Sequence, residues 1–339
     1  MIIKRVFCLL ISLCLVFASS SCSNKNEIKL SGPVTASTSA RVTTATPITT
    51  AMPTTTAVPT TTQTPAPKYA PAIYIGSNVM FNKPDIIEKI KANDMYFYKF
   101  SYASDSEKVI GFFVRPIDCI GKLPIIIYNR GGNRSYGENT YEYILSLGFY
   151  FARKGYIFAA TQYRGVDGGT GIEQFGGDDL DDVFNLLKIV KGLLYADTNN
   201  IFMIGQSRGG METYEACRNN TEINAAVIDS GPSDLFDTYS SRELAMKEVL
   251  KFLIGGTPDE LPEEYTKRSA VKWANEIDVP LYILHSTGDP RVNYSQAVNM
   301  CNELEKYNKD YVFQSFDDSD HCHEIRTEEI INWLEKYKK

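Results

Sequence analysis

A hydroxyl becomes a nucleophile when a base takes its proton and a carboxylate orients that base. The candidate hydroxyl is Ser207, in the stretch IFMIGQSRGG at 201–210. Four apolar residues run into Gly205-Gln206-Ser207-Arg208-Gly209, and the helix-like METYEACRNN follows. A G-x-S-x-G pattern between a strand and a helix sets a serine on a strained turn with its hydroxyl exposed. The pattern is short, and a small residue in a tight connection would read the same way, so the partners decide. The chain has 3 histidines, two of them in DDSDHCHEI at 317–325. A carboxylate, Asp289, lies in the turn TGDPRVN. Ser207, Asp289 and His321 each follow an apolar run, which is where residues of a shared site should sit in a parallel sheet.

Each assignment has a competitor. Asp289 could simply cap a Gly-Asp-Pro turn, and Asp229, just past AAVID, is the reserve acid. His323 competes with His321 as base, although Asp320-His321 has the better register after the last apolar run. His285 sits at a strand end and reads as a packed core residue. The cluster His321, Cys322, His323, Glu324 invites a metal reading, because side chains two apart on an extended segment share a face. It offers too few ligands, and no second histidine-rich region completes it. Asp317, Asp318 and Asp320 lack the spacing and glycine of a calcium loop. Cys322 reads as incidental, since the serine already occupies the strand–helix turn.

The elements that must hold these residues alternate. MYFYKFSYAS and EKVIGFFVRP form an antiparallel pair joined through Asp105 and Ser106. LPIIIYN (123–129) is a continuous apolar run, as in a strand buried on both faces. Then come helix YEYILSLGFYFARKG, strand YIFAATQY and helix LDDVFNLLKIVKGLLY, whose acidic start at Asp178–Asp182 suits the helix dipole. Strands IFMIG, AAVID, PLYILHS and YVFQSF follow, with helices between and after them. Such alternation predicts an α/β fold, a mostly parallel central sheet with helices on both faces. The insert at 230–275 reads either as a lid that shapes the pocket or equally as plain structural cover, with SRELAMKEVLKFLIGG a helix stopped at Gly255 and Gly256. An oxyanion would be held by the backbone N–H of Arg208 and by the loop after LPIIIYN, where Arg130, Gly131 and Gly132 lie.

With these segments together the chain resembles the α/β-hydrolase superfamily, and within it the catalytic domain of the prolyl-oligopeptidase-like serine peptidases. The resemblance covers roughly 95–339. It rests on LPIIIYNRGGN, on QYRGVDGGTG and the acidic DDLDDV after it, on GQSRGG, and on TGDPRVNYSQA with DSDHCHEI. It implies the α/β-hydrolase fold, Ser207, Asp289 and His321 as a catalytic triad, Arg164 as a structural arginine, and no cofactor. Two departures stand out. The stretch before residue 95 is too short for the propeller that limits substrate size in many members. Arg130 also stands where the group often has Tyr or His. Its guanidinium could donate to the oxyanion, or Arg130 and Arg208 could bind a substrate carboxylate. Ion pairs with nearby Asp or Glu are the other reading.

The rest of the chain bears on location. Lys4 and Arg5 precede an apolar run, Val6–Phe17, too short for a membrane span of about 20 residues and suited to an export signal at 1–21. Cys22 then follows small residues, as the lipid-accepting cysteine of a bacterial lipoprotein would. Secretion without lipid and an uncleaved anchor are the alternatives. Residues 22–68 read as a disordered linker, nearly all Thr, Pro, Ala, Ser and Val from 31 to 67. The catalytic domain is placed at 69–339. A net charge of −6 and no basic run argue against nucleic acid. Cys119, Cys217, Cys301 and Cys322 form no C-x-x-C pair. The expected activity is an exported serine peptidase cleaving short peptides. A carboxylesterase on small or carbohydrate-linked esters is the alternative, and a non-catalytic surface-binding lipoprotein the third reading. The membrane is met only through the anchor.

Overall fold

The apolar run Leu123–Asn129 is a strand with every residue buried, as its composition predicts. Its side chains alternate: Ile125 and Ile127 enter one core cluster, Ile126 and Tyr128 the other, on opposite faces of the sheet. In the computed structural model, residues 72–75, 94–219, 221–323 and 327–339 are described. The proposed signal, Cys22 and the Thr/Pro-rich stretch lie outside them.

Nine strands form one sheet. They are β1 (Ala72–Ile75), β2 (Met95–Ser104), β3 (Glu107–Pro116), β4 (Leu123–Asn129), β5 (Ile157–Thr161), β6 (Ala196–Gln206), β7 (Ala225–Asp229), β8 (Leu281–Ser286) and β9 (Tyr311–Phe316). The spatial order is β1-β2-β3-β5-β4-β6-β7-β8-β9. Pairs β1–β2, β2–β3 and β3–β5 are antiparallel, and every pair from β5 to β9 is parallel. This is the α/β-hydrolase fold.

Helices cover both faces. Helix α1 (Tyr141–Arg153), N-capped by the Thr140 side chain, packs Ile144, Phe151 and neighbours on one face. There it joins α8 (Thr327–Leu334) through Ile330 and Trp333. On the other face lie α2 (Leu180–Lys191), the C-terminal part of α3 (Arg208–Asn219) and α7 (Tyr294–Lys306). Between β7 and β8 the insert holds α4 (Leu235–Ser241), α5 (Leu244–Ile254) and α6 (Pro262–Lys267). The stop predicted for α5 is present: Gly255 is left-handed, φ 97°, and its N–H caps Lys251. Leu250, Leu253 and Tyr265 of the insert pack with Phe175 and Met211 in a third, smaller core.

Strand β5 stops at Thr161 because Tyr163 turns left-handed (φ 63°), although the Gln162 N–H still donates to Ile110 O at 2.8 Å. The acidic start of α2 does more than suit the dipole. Asp179 and Asp182 are fully buried and spent on internal partners.

Candidate active site

Ser207 occupies the turn between β6 and α3 with φ 52°, a left-handed conformation that a non-glycine residue adopts only when its surroundings impose it. Its N–H donates to Asp229 O at 2.8 Å, which fastens the turn to the end of β7. The flanking glycines let backbones meet. A Cβ on Gly205 would strike Gly209 O and Thr213 Oγ1, and one on Gly209 would strike Asn129 O at the end of β4. The result leaves Ser207 partly exposed at the carboxyl end of the sheet.

His321, in the loop after β9, places Nε2 2.8 Å from Ser207 Oγ. Its Nδ1 lies 2.8 and 3.0 Å from the two Asp289 carboxylate oxygens. A carboxylate only accepts, so Nδ1 carries the proton and Nε2 is left to accept from Ser207. Asp289 is itself held by the N–H groups of Arg291 (2.8 Å) and Val292 (3.1 Å). Burial pushes its carboxyl up, but the His321 bond and those two amides more than offset this, and the net shift is downward. Gly131, on the loop after β4, lies against Ser207: a Cβ there would sit 3.0 Å from Ser207 Cβ and 3.7 Å from Oγ. The first residue of α3 is Arg208, so the helix N-terminus opens at the serine.

Residues 144–339, more than half of the chain and the part that carries all three of these side chains, match the prolyl oligopeptidase family. The chain belongs to the prolyl oligopeptidase family. It is 30% identical over 213 residues to the uncharacterized peptidase YtmA of Bacillus subtilis, covering 62% of this chain and 80% of that one. It is 25% identical over 208 residues to dipeptidyl-peptidase 5 of Porphyromonas endodontalis, covering 58% and 30%. Among solved structures it superposes on the acylaminoacyl peptidase of Pyrococcus horikoshii with a TM-score of 0.64, 25% identity, and 76% and 44% coverage. The chain thus spans most of YtmA but less than half of the other two. Family membership makes it a serine hydrolase of the peptidase type.

Of the readings open for Arg130 and Arg208, the geometry fits ion pairing with nearby Asp and Glu. Arg130 does not present its guanidinium to a substrate. It is 1% exposed, and it donates to Gln162 O (2.7 and 3.0 Å), Gly131 O (2.9 Å) and Arg134 O (3.0 Å), so it braces the glycine loop from behind. Arg208 is equally buried and pairs with Glu173 (2.7 Å), Glu212 (2.8 Å) and Asp179. The Tyr163 ring lies within cation–π distance of both guanidinium groups, 4.9 and 4.6 Å away. The two arginines are ion-paired scaffolding, and only backbone N–H groups of Arg208 and the Arg130–Gly132 loop remain for an oxyanion. Gly132 is a turn residue, φ 74°, whose missing Cβ admits Tyr136 O. Burial drives the Glu212 carboxyl up to about 8 despite Arg208 beside it.

The remaining candidates are also placed. His285 is buried, its Nε2 on Val292 O at 2.9 Å, and burial lowers its basicity, as a core residue. Arg164 is structural: it binds the buried Asp182 at 2.9 Å and Asp105 at 3.0 Å. Cys322 is left-handed (φ 63°), so the segment is not extended there and His321 and His323 diverge. Burial raises the Cys322 thiol well above its ordinary value, which keeps it from thiolate chemistry. Among the described residues, no group of three His, Cys, Asp or Glu is placed to hold a metal ion. The sequence reading missed Gln206, whose Nε2 reaches both Asp229 (2.9 Å) and His323 O (3.2 Å). It also missed Glu173 and Glu212. Glu212, four residues past Arg208 on one helix, had a readable signal.

Proposed function

We propose that the chain is an exported serine peptidase that cleaves short peptides through an acyl-enzyme. Ser207 attacks the carbonyl, and His321 takes its proton at Nε2 while Asp289 holds the imidazole and stabilises its cation. The oxyanion is met by the N–H of Arg208 and an N–H of the Gly131 loop. His321 then returns the proton to the leaving amine, and a water deprotonated by the same base releases the acid. One observation carries this reading: Ser207 Oγ, His321 and Asp289 form an unbroken hydrogen-bonded line of 2.8 Å contacts. Lipid attachment at Cys22 and residence at the outer face of a bacterial membrane belong to the same proposal.

A fluorophosphonate probe tests the nucleophile. Wild type should be labelled and Ser207→Ala should not; an unlabelled wild type overturns the reading. A panel of aminoacyl-proline and other dipeptide amides against short acyl esters then tests the bond cleaved. Turnover of amides supports the peptidase, and turnover of esters alone replaces it with a carboxylesterase.

A further inference from the structure

The two runners-up for the site, Asp229 and His323, face each other. His323 Nδ1 lies 3.4 Å from Asp229 Oδ1, and its Nε2 lies 2.8 Å from Ser286 Oγ and 3.5 Å from Asp318 Oδ1. The ring packs against Phe316, centroids 4.0 Å apart and planes tilted by 43°. Ser286 is fully buried at the end of β8, so it meets no substrate. The bonds do not repeat those of His321. The Ser286 hydroxyl donates to Asp318, so its oxygen must accept from His323 Nε2–H. On the other side Asp229 is a carboxylate and also only accepts. Both ring nitrogens therefore donate, and a ring that donates twice is an imidazolium. Two residues away His321 must keep Nε2 free to accept from Ser207.

We propose that His323 is a positioning residue of the hydrolytic reaction, a cation clamped between Asp229 and Asp318 that pins the His321 loop to the sheet. The proposal rests on the reading of Ser207 and His321 given above. The clamp reaches three elements: the end of β7 through Asp229, the end of β8 through Ser286, and the loop after β9 through Asp318. Gln206, next to the nucleophile, closes it by donating to both Asp229 and the His323 carbonyl. The Asp229 backbone carbonyl in turn accepts the Ser207 N–H. Nucleophile and base are thus referenced to the same aspartate, one through its main chain and the other through its side chain. A misplacement of about 1 Å in such a pair can cost a hundredfold in rate.

The charged and titratable neighbours agree. Asp229 and Asp318 are the carboxylates facing the ring. The Asp229 bond, and the charge of both, raise the His323 imidazole above its ordinary value, against burial. The Ser286 bond holds the Asp318 carboxyl below its ordinary range. Across the adjoining cavity, which Tyr143, Tyr150, Cys322 and Thr327 also line, the Tyr143 hydroxyl is pushed up to about 12 by burial and stays neutral. Because the folded-state value is raised, the cation lasts to higher pH than a free imidazolium, and the clamp needs Asp318, held below its ordinary range, to be ionised. It is lost as pH rises through the raised value.

With 3 histidines in the chain, imidazole nitrogen NMR of the unmodified protein reads the state of His323 directly. The resonance is assigned with Asp318→Asn, a change at a carboxylate 42% exposed. His323 should carry two N–H protons at neutral pH and titrate above the ordinary imidazole value, about 6.5. Asp318→Asn should lower that titration. His323→Gln, which cannot be a cation, should lose tenfold to a hundredfold in kcat with KM changed less than twofold. Its alkaline fall in kcat should vanish. A singly protonated His323 at neutral pH, or a His323→Gln enzyme with wild-type kcat and pH profile, overturns the clamp. Fluorophosphonate labelling of wild type, run alongside, separates this from failure of the Ser207 reading, since the NMR state does not depend on labelling.

Discussion

Asp289 binds both the His321 ring and two backbone amides, and the competing Asp229 does neither. Asp289→Asn should therefore cost about 10⁴ in kcat through loss of the tautomer and of the charge beside the imidazolium. Asp229→Asn should cost at most about a hundredfold, by displacement alone. Comparable losses in the two would move the acid to Asp229. The lowered Asp289 carboxyl also has a sign in stability. Its contribution is complete above the unfolded value, near 3.9, and is lost as pH falls through the folded one. Acid unfolding of Asp289→Asn should lack that component. At this scale the sequence revealed the residues proposed to do chemistry better than those that hold them. Ser207, Asp289 and His321 were legible because each follows its own apolar run. Which acids pair with Arg208 was not legible, because Glu173 and Asp179 reach it from a loop about thirty residues upstream, and no spacing rule links them. Its removal has a large expected effect: Arg208→Met leaves buried carboxylates without a cation and should cost about 3–5 kcal/mol in chemical denaturation. A loss under 1 kcal/mol would show that those carboxylates take up protons at little cost.

The strand–turn–helix unit β6–α3 works only with the loop after β4 packed against it. Gly131 fits there because it has no side chain, and its φ is not positive, so alanine brings no backbone strain. Gly131→Ala should thus put a methyl group beside Ser207 Oγ, where the oxyanion forms. The expected result is a loss of about 10²–10³ in kcat, the cost of one oxyanion donor, with a melting temperature near that of wild type. An equal fall in stability and rate would mean that the loop had moved instead. At the scale of elements the sequence was informative wherever a strand is buried on both faces. Strands β4 and β7 run over the predicted residues because an uninterrupted apolar stretch has one solution in a covered sheet, and β9, half-exposed at the sheet edge, matches through its alternating Tyr-Val-Phe start. Strand β1 was missed: AIYI is four residues long and pairs only with β2 at the sheet edge, so it has no such stretch. Strand β6 begins five residues early, at Ala196, where the polar Asp197–Asn200 segment continues the pairing with β4 around an irregularity after Pro124.

For the whole molecule, the question is how a catalytic sheet relates to the chain before it. Every residue proposed to act in catalysis lies between Gly131 and His323, and the sheet, its two covering helical layers and its core are drawn from Ala72 onward. The four cysteines of this part, Cys119, Cys217, Cys301 and Cys322, are free thiols, so no covalent cross-link joins its elements. What Cys22 contributes is therefore separable from what the fold contributes, and one substitution divides them. If Cys22 carries lipid, a single-residue change at that position removes the anchor and leaves Ser207, Asp289 and His321 in the chain. Two acyl chains, each worth about 0.8 kcal/mol per buried CH₂, give stable attachment where one gives only marginal binding. Cys22→Ala expressed in a bacterial host should lose palmitate labelling and shift from the membrane fraction to the medium. Its kcat/KM toward the best substrate of the panel should match wild type, because the catalytic line from Ser207 to Asp289 is untouched. Equal release of both proteins into the medium would mean that the segment before residue 22 is only a secretion signal. Retention of the variant in the membrane would mean that the apolar run Val6–Phe17 itself is the anchor.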